Sequence, residues 1–319
     1  MAQRLGKSGA NKMKTVLVTG ADGFVGRNLI KKLIERGVFV YAIIHPNARF
    51  CFEGNKRVKT IRCDLIEGCK DYSAFDRPID AMYHFAWAGV KPEERDEVEI
   101  QLKNIEISMN CMKLAAATKT KKIIFPGSTN EYLYYGKPID KYATPSPNNF
   151  YGATKVALRY MCSEYASNNG ITFVYAIVAG IYSPDRQDNN IITYTINSLL
   201  EGVAPSLTTC EQIWDYVYID DVIEALICLG DKGKDGGVYP IGHGDNWQLK
   251  NYIEIIKKEI DPSVCIKYGQ KKQKNGKAGT SAIDLSEIYN DTGFAPKVSF
   301  EEGIRKVIKQ KKAQIKESK

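Results

Sequence analysis

Histidine, paired cysteine motifs and long apolar runs are all scarce in this chain of 319 residues. It has three histidines, and none of its eight cysteines forms a Cys-x-x-Cys pair, so we predict no metal site and reduced thiols. No run approaches the ~20 consecutive apolar residues that a membrane-spanning helix needs. The amino terminus, MAQRLGKSGANKM, lacks the apolar core of a secretory signal. These absences predict a cytoplasmic protein that does not contact the membrane.

Lysine and arginine are present in moderate excess, which gives a formal net charge of +8. Much of the excess lies in two short runs at residues 271–277 and 309–319, which we interpret as a solvated loop and a tail. We therefore predict no nucleic-acid partner, because an anionic small molecule explains a mild positive charge equally well. The hydrophobic fraction of 44% is that of an ordinary globular protein.

Short β-branched segments alternate with amphipathic segments along the first 180 residues. This alternation predicts an α/β fold, in which a doubly wound parallel (Rossmann) sheet is covered by helices on both faces. The predicted strands are 15–19, 38–44, 58–62, 81–85, 122–125 and 172–178, and the predicted helices are 24–36, 94–117 and 151–167.

Prolines and glycines break the chain into shorter pieces after residue 180, where helices are predicted near 191–201, 222–229, 249–259 and 300–309. The length suits about two domains, or one large α/β unit with an added lobe. We predict a flexible tail at 1–13 and a dinucleotide-binding domain at 14–180, to which a segment near 213–242 returns. A smaller α/β substrate-binding lobe is then formed by residues 181–212 and 243–319.

The segment TGADGFVG follows the first predicted strand and opens the first helix. Gly20 permits a tight turn, Gly23 lets the backbone approach a pyrophosphate, and Gly26 lets the helix pack on the strand. The phosphates would lie at the helix amino terminus, where N–H groups and the helix dipole favour negative charge. We therefore predict a dinucleotide site that also includes Asp22, Phe24 and Val25.

The turn after the second strand distinguishes the two nicotinamide cofactors. An acidic residue there binds the ribose 2′-hydroxyl of NAD and repels the 2′-phosphate of NADP. The sequence YAIIHPNARF has no acidic residue, and it offers His45 and Arg49. Arg49 is either a surface residue or a bidentate phosphate ligand. We therefore favour NADP(H) over NAD(H).

Tyr151 and Lys155 occur in NNFYGATKVALRY, four residues apart on a predicted helix. This spacing puts both side chains on one helix face. An ammonium beside a phenol stabilises the phenolate, which lowers the tyrosine pKa from about 10 toward neutrality. Such a tyrosine can exchange a proton with a carbonyl or an alcohol.

These motifs occur in a characteristic order together with five others: HFAWAG at 84–89, FPGSTNEY at 125–132, WDYVYIDDV at 214–222, YPIG at 239–242 and TGFAPKVSFEEGI at 292–304. The chain therefore resembles the extended short-chain dehydrogenases/reductases, in the nucleotide-sugar epimerase/dehydratase/reductase group. The resemblance covers roughly residues 14–310, and the combination is far more specific than any single motif.

The resemblance implies the roles of the site residues. It makes Tyr151 the acid/base and has Lys155 orient the nicotinamide ribose, while the Ser128 hydroxyl binds the reacting oxygen with Thr129 as the alternative. Asn104 would support the lysine through water. Asp64 would contact the adenine amino group, or would merely form a turn. Leu65, Phe85 and Ala86 would also line the cofactor. The implied substrate-binding residues are Trp87, Thr129, Asn130, Gly180 and Trp214.

Three departures from the family pattern narrow the activity. Sugar 4,6-dehydratases follow the catalytic hydroxyl with Asp-Glu, whereas Ser128 is followed by Thr129-Asn130 and Thr129 by Asn130-Glu131. Dehydration is therefore not expected. Ile177 and Gly180 replace the Arg and Asn that commonly precede Tyr-Gly-Pro, and Trp214 stands where an arginine often precedes an aspartate. Trp214 either packs in the core or lines the substrate pocket.

The resemblance leaves three candidate functions. The favoured one is an NADPH-dependent 4-ketoreductase acting on a 4-keto, often 6-deoxy, hexose linked to a nucleoside diphosphate. The alternative is a 4-epimerase that keeps NAD(H) bound, and the third is a non-catalytic dinucleotide sensor. The helices near 94–117 and 151–167 carry apolar residues on several faces: Ile105, Met109, Met112, Leu158, Met161 and Cys162. The resemblance implies that such helices pair across a two-fold axis, so we also expect a homodimer through a four-helix bundle.

Overall fold

The computed structural model describes residues 12–49, 52, 54–133, 136–186, 190–272 and 281–317. The strands are β1 Thr15–Thr19, β2 Phe39–Ile44, β3 Val58–Arg62, β4 Ala81–His84, β5 Lys122–Ser128, β6 Thr172–Val178, β7 Gly180–Tyr182, β8 Ile213–Trp214, β9 Tyr216–Tyr218, β10 Val238–Ile241 and β11 Trp247–Gln248. The α-helices are α1 Phe24–Glu35, α2 Val98–Ala117, α3 Phe150–Asn168, α4 Ile191–Leu200, α5 Ile219–Lys232, α6 Leu249–Ile260, α7 Ser286–Thr292 and α8 Phe300–Glu317.

Seven strands form one sheet in the order β10-β6-β5-β4-β1-β2-β3, and every neighbouring pair is parallel. Strand β1 is buried along its whole length, as expected for a parallel strand covered on both faces. Helices α2 and α3 pack together, and α1 packs against α5. The predicted doubly wound fold is confirmed.

The strand order reverses at β1, which has β2 on one side and β4 on the other. In open α/β sheets, ligands bind beyond the carboxyl ends of the strands at such a switch point. The glycine turn, the turn after β2 and the HFAWAG segment all follow strands that end at this edge. The topology therefore gathers the predicted cofactor residues into one crevice.

The later part of the chain contributes to the sheet and also forms a smaller lobe. Strand β10 lies at the edge of the sheet beside β6, within the segment that the sequence predicts to return. In the lobe, α6 packs against α4 and α8, and β11 pairs antiparallel with β8. Strands β7 and β9 form a parallel pair. In the described segments, no helix is long and apolar enough to cross a membrane.

Two predicted tails differ from the structure. Residues 1–11 lie outside the described residues, but Met13 is buried, its N–H bonds to Asp231 at 3.0 Å, and its sulfur accepts a hydrogen bond from Tyr83. The amino-terminal tail therefore ends before Met13. Helix α8 continues to Glu317, although its buried residues end at Ile308 and its last turns are mostly exposed. Parts of both lysine runs, residues 273–277 and 318–319, lie outside the described residues.

Two of the cysteines that we predicted to be reduced form a disulfide in the structure. Cys63 and Cys69 follow β3, and their Cα atoms lie 5.9 Å apart. The five residues between the two cysteines let the chain fold back on itself, whereas the prediction of reduced thiols rested on the absence of a Cys-x-x-Cys pair. The other described cysteines are free, and three of them are buried: Cys111, Cys162 and Cys210.

Candidate active site

The glycine turn is shaped by close backbone contacts. Gly20 has φ of +61°, and a Cβ there would lie 2.6 Å from the Ala86 nitrogen. A Cβ on Gly26 would lie 2.3 Å from the Gly20 oxygen, so both positions require glycine. The Gly23 N–H bonds to the Gly20 oxygen, and α1 begins immediately afterwards.

The first turn of α1 has the features of an anion site. It has no side-chain cap and no acidic residue, so its main-chain N–H groups point toward the crevice. Those of Phe24 and Val25 would hold a cofactor pyrophosphate, and the half-buried Asp22 lies beside them in the turn. The turn therefore fits the dinucleotide that the sequence predicts.

The ends of β2 and β3 form the next part of the crevice. His45 and Arg49 are exposed in the turn after β2, and His45 Nε2 lies 3.9 Å from an Asp64 oxygen. The other oxygen of Asp64 accepts the Ile66 N–H, as in an Asx turn, and the neighbouring Leu65 is buried. All four predicted residues thus lie at one edge of the sheet.

Sequence reasoning missed Arg62, the last residue of β3. Its guanidinium donates to the main-chain oxygens of Pro46 at 2.7 Å and Ala48 at 3.0 Å. Arg62 therefore holds the turn after β2 and adds a cation to the crevice. Its position at the carboxyl end of a predicted parallel strand was a signal that could have identified it.

The HFAWAG segment runs from β4 along the end of β1. The Phe85 N–H bonds to the Thr19 oxygen, and the Ala86 N–H bonds to the Thr19 hydroxyl. Asn104, buried on α2, accepts from the Ala88 N–H at 2.8 Å and donates to the Ala88 oxygen at 2.9 Å. Its amide therefore clamps this loop, whereas the family resemblance assigns it to the lysine.

The predicted catalytic residues meet where β5 ends and α3 begins. Ser128 ends β5 and lies beside Tyr151, whose pKa it lowers, while Thr129 is buried in the 3₁₀ turn that follows. Lys155, one turn along α3 from Tyr151, donates to the Pro126 oxygen at 2.9 Å. Its ammonium also lies 3.4 Å from the centre of a Trp87 ring. The structure brings Ser128, rather than Thr129, to Tyr151.

Burial dominates the electrostatics of this pair. It raises the pKa of Tyr151, and Arg95 and Ser128 offset only part of the increase. The prediction that Lys155 lowers this pKa is wrong for the arrangement described, because the ammonium donates to Pro126 and lies 5.8 Å from the Tyr151 ring centre. Burial also lowers the pKa of Lys155 to about 7, although nearby Glu131 opposes the change.

Glu131 is a buried residue that sequence reasoning left without a role. One carboxylate oxygen accepts the Ser128 N–H at 2.6 Å and the Tyr175 hydroxyl at 2.9 Å. Burial raises the pKa of this carboxyl to about 7. Ser128-x-x-Glu131 has the spacing of a capping box, a signal that could have predicted the contact.

Two arginines near Tyr151 were also missed. The Arg95 guanidinium lies 5.5 Å from the Tyr151 ring centre, and one of its nitrogens is 3.5 Å from the Asn130 oxygen. Arg186 lies 5.7 Å from the centre of the Phe24 ring, and its charge lowers the pKa values of Tyr151 and Tyr216. The site is therefore more cationic than its Tyr-Lys pair alone suggests.

The departures at Gly180 and Trp214 are explained by one aromatic ring. A Cβ on Gly180 would lie 2.8 Å from carbons of the Tyr216 ring, which fills the space that an asparagine side chain would need. Trp214 stacks on the same ring, with the ring centres 6.4 Å apart. The indole N–H groups of Trp87 and Trp214 are both buried without a partner among the described residues. Core packing thus accounts for Trp214 without excluding a polar contact to a ligand.

The glycine turn at the reversal of strand order and the Ser128–Tyr151–Lys155 arrangement define an enzyme of the short-chain dehydrogenase/reductase type. A model described as the NAD dependent epimerase/dehydratase family matches residues 16–242, and the chain belongs to that family. This membership confirms the extended type that the motifs indicate.

Relatives match the chain over nearly its full length. The CDP-abequose synthase of Salmonella muenchen is 26% identical over 302 residues, which cover 93% of this chain and 98% of that protein. The dTDP-4-dehydro-6-deoxyglucose reductase of Escherichia coli is 24% identical over 92% of this chain and 96% of its own. The solved UDP-N-acetylglucosamine 4-epimerase from Methanobrevibacter ruminantium superposes with a TM-score of 0.83 at 23% identity, covering 95% of this chain and 100% of its own. The last comparison shows the shared fold.

Proposed function

We propose that this protein is an NADPH-dependent 4-ketoreductase that acts on a 4-keto hexose linked to a nucleoside diphosphate. The observation that carries the proposal is the turn after β2, which has no acidic residue of its own and places His45, Arg49 and Arg62 together. The names of two relatives agree, since one is a 4-dehydro-6-deoxyglucose reductase and another makes a CDP-linked sugar.

The residues at the end of β5 suit ketone reduction. Bound NADPH would supply the hydride to C4. Tyr151 would donate its proton to the C4 oxygen, and Ser128, which lies beside Tyr151, would donate a hydrogen bond to the same oxygen. Lys155 would bind the ribose next to the nicotinamide. The acid and base that water elimination needs are missing, because Thr129 and Asn130 follow Ser128 where dehydratases carry Asp-Glu.

Arg49 provides the test of cofactor choice. The 2′-phosphate of NADPH is costly to bind unpaired, and a hydrogen bond to a charged group contributes about 1.5–3 kcal/mol. We expect Arg49→Ala to weaken NADPH binding ~10-fold or more and to leave NADH binding nearly unchanged. Fluorescence titration of both cofactors against wild type and variant measures this directly.

Arg57 offers a matched control for that titration. It is exposed just before β3 and donates to the Gly37 oxygen, at the opposite end of the strands from the crevice. Arg57→Ala should therefore bind both cofactors as the wild type does. A wild type that prefers NADH, or an Arg49→Ala protein that loses both cofactors equally, would contradict the NADPH assignment.

An NAD-dependent 4-epimerase is the second candidate, and one contact favours it. The Asp64 carboxylate lies 3.9 Å from His45, where it would oppose a 2′-phosphate. Tyr151, Lys155 and Ser128 would serve an epimerase in the same way. Denaturing the purified protein and identifying the released nucleotide separates the two candidates, because an epimerase releases tightly held NAD.

We also propose a homodimer through α2 and α3. Of the apolar residues named from the sequence, Met112, Leu158 and Cys162 are buried in the core, whereas Met161 is exposed. Other large apolar side chains are exposed on the same two helices: Val98, Leu102, Phe150 and Tyr160. A second copy of the chain would cover them. Light scattering at micromolar concentration should report a dimer, and a strict monomer would exclude this assembly.

A further inference from the structure

A series of side-chain amides leads from the start of α3 to Ser128. Asn149 is the N-cap of α3, and its Oδ1 accepts the Gly152 N–H at 2.7 Å. A carboxamide has a single oxygen, so the other end of Asn149 is its NH₂ group. That group lies 3.4 Å from the Oδ1 of Asn130. The helix cap thus determines which end of Asn149 faces Asn130.

The orientation of Asn130 follows from its neighbours. Its Oδ1 faces Nδ2 of Asn149 and a guanidinium nitrogen of Arg95 at 3.5 Å, and both of these groups can only donate. The reversed amide would place its NH₂ group against two donors. The Nδ2 of Asn130 therefore points to the Ser128 Oγ, at 3.0 Å.

Ser128 receives a second hydrogen bond from the same residue. The main-chain N–H of Asn130 also donates to the Ser128 Oγ, at 3.2 Å. A hydroxyl has two lone pairs and one hydrogen, so both acceptor positions of Ser128 are occupied. Its remaining capacity is to donate, and the Ser128 hydroxyl lies close enough to Tyr151 to lower the pKa of that phenol.

We infer that Asn130 is a positioning residue that makes the Ser128 hydroxyl an obligatory donor toward Tyr151 and the reacting oxygen. This inference rests on the proposed function, in which both residues contact the C4 oxygen. It also revises the role that family resemblance gives Asn130, since its amide is engaged by Ser128, Asn149 and Arg95 rather than aimed at a substrate.

The direction of this hydrogen bond matters for ketone reduction. As the new C4–H bond forms, the π electrons of the carbonyl move to its oxygen, which takes the Tyr151 proton and leaves a phenolate. A fixed donor at Ser128 stabilises negative charge on either oxygen. A carboxylate at position 130 would instead accept the Ser128 hydrogen. In the dehydratases, the second residue after the catalytic hydroxyl, which corresponds to position 130, is a glutamate.

Two substitutions at Asn130 test the inference, each made alone and together with Ser128→Ala. Asn130→Leu removes the amide donor without adding charge, and Asn130→Asp keeps the shape but exchanges donor for acceptor. The Tyr151 pKa is measured without substrate by titrating the tyrosinate absorbance of each protein with pH. The titration of the same protein carrying Tyr151→Phe is subtracted, so that only the Tyr151 signal remains. The rate constant kcat for reduction of a 4-keto sugar nucleotide is the second measurement, with Asn168→Asp at the far end of α3 as a charge control.

We expect Asn130→Leu to raise the Tyr151 pKa by about 0.5–1 unit and to lower kcat ~10-fold, with the NADPH KM changed less than ~2-fold. Asn130→Asp should have larger effects on the pKa and kcat. In the Ser128→Ala protein, Asn130→Leu should change either quantity little, because the residue it acts through is gone.

Equal effects of Asn130→Leu with and without Ser128 would overturn the inference, and so would an unchanged pKa and kcat in the single variant. The proposed function fails separately. If wild type reduces no 4-keto sugar nucleotide but the Tyr151 titration shifts as expected, the activity is wrong while the role of Asn130 stands.

Discussion

The β5–α3 corner and the aromatic lobe bury tyrosines in opposite ways. At the corner, Tyr175 bonds to Glu131 and Tyr151 lies beside Ser128, and both of these polar partners are themselves buried. In the lobe, the Tyr252 ring packs edge-on against Tyr216 and Phe300, with ring centres 4.9 and 4.7 Å away, and its hydroxyl bonds only a main-chain oxygen.

This difference explains where the family pattern has changed. Each polar side chain at the corner is the partner of another, so replacing one leaves a buried group unsatisfied. The lobe requires only volume and shape, and main-chain partners survive substitution. Positions 180 and 214 can therefore hold Gly180 and Trp214 instead of the family-typical asparagine and arginine. At the corner, Ser128, Tyr151 and Lys155 follow the family pattern.

The largest expected effect comes from removing one hydroxyl at the corner. Tyr151→Phe should fold and bind cofactor but lose turnover at least ~10²-fold, because the proton donor is gone. Steady-state kinetics on a 4-keto sugar nucleotide measure the loss. The same change in the lobe, Tyr252→Phe, should keep turnover within ~3-fold, since its hydroxyl bonds the Trp214 oxygen away from the reacting groups. Equal losses in the two variants would erase the distinction between the regions.

The fold and the meeting of Ser128, Tyr151 and Lys155 in one place could be predicted from sequence because they rest largely on local signals. Gly26 is required by backbone contacts within the glycine turn and Gly20 by its positive φ, while Tyr151 and Lys155 are brought together by the spacing of one helix. Arg95 and Arg186 could not be predicted in the same way, since they reach Tyr151 from distant loops. The pKa of Tyr151 was predicted in the wrong direction because burial, a property of the whole fold, outweighs the neighbouring charge.

A substitution that adds side-chain volume should lower the free energy of unfolding most strongly in the lobe. Restoring the family residue with Gly180→Asn would push a side chain into the Tyr216 ring, and overpacking of this kind costs about 1–3 kcal/mol. Chemical denaturation should show this loss in the free energy of unfolding. In a Tyr216→Ala protein the ring is absent, so the added cost of Gly180→Asn should shrink. A cost that is the same with and without the ring would show that Tyr216 does not fill this space.

The smallest expected effect is a pH dependence at Glu131. Burial raises the pKa of its carboxyl from 4.5 to about 7, so the folded chain holds this proton more tightly than the unfolded chain. The stability it provides is fully present below about pH 4.5 and is lost as the pH rises through about 7. Glu131→Gln cannot titrate, so wild type should lose stability relative to this variant over that range.

Denaturation of both proteins at intervals from pH 4.5 to 8 measures this difference. Lys155 titrates in the same range and its pKa is raised by the Glu131 charge, so the difference between the two proteins reports the Glu131–Lys155 pair together. A constant difference across the range would mean that Glu131 does not change its ionisation there.

The amide of Asn104 grips the loop after β4 by main-chain atoms alone, the N–H and the oxygen of Ala88. It works as a single rung of β-ladder that is supplied by a side chain. Because these two hydrogen bonds use only the main chain of Ala88, they do not depend on the Trp87 side chain. Trp87 can therefore be replaced while the path of the loop stays fixed. Saturation mutagenesis at Trp87 would therefore change the lining of the crevice beside the Lys155 ammonium while the main-chain path of the loop is kept.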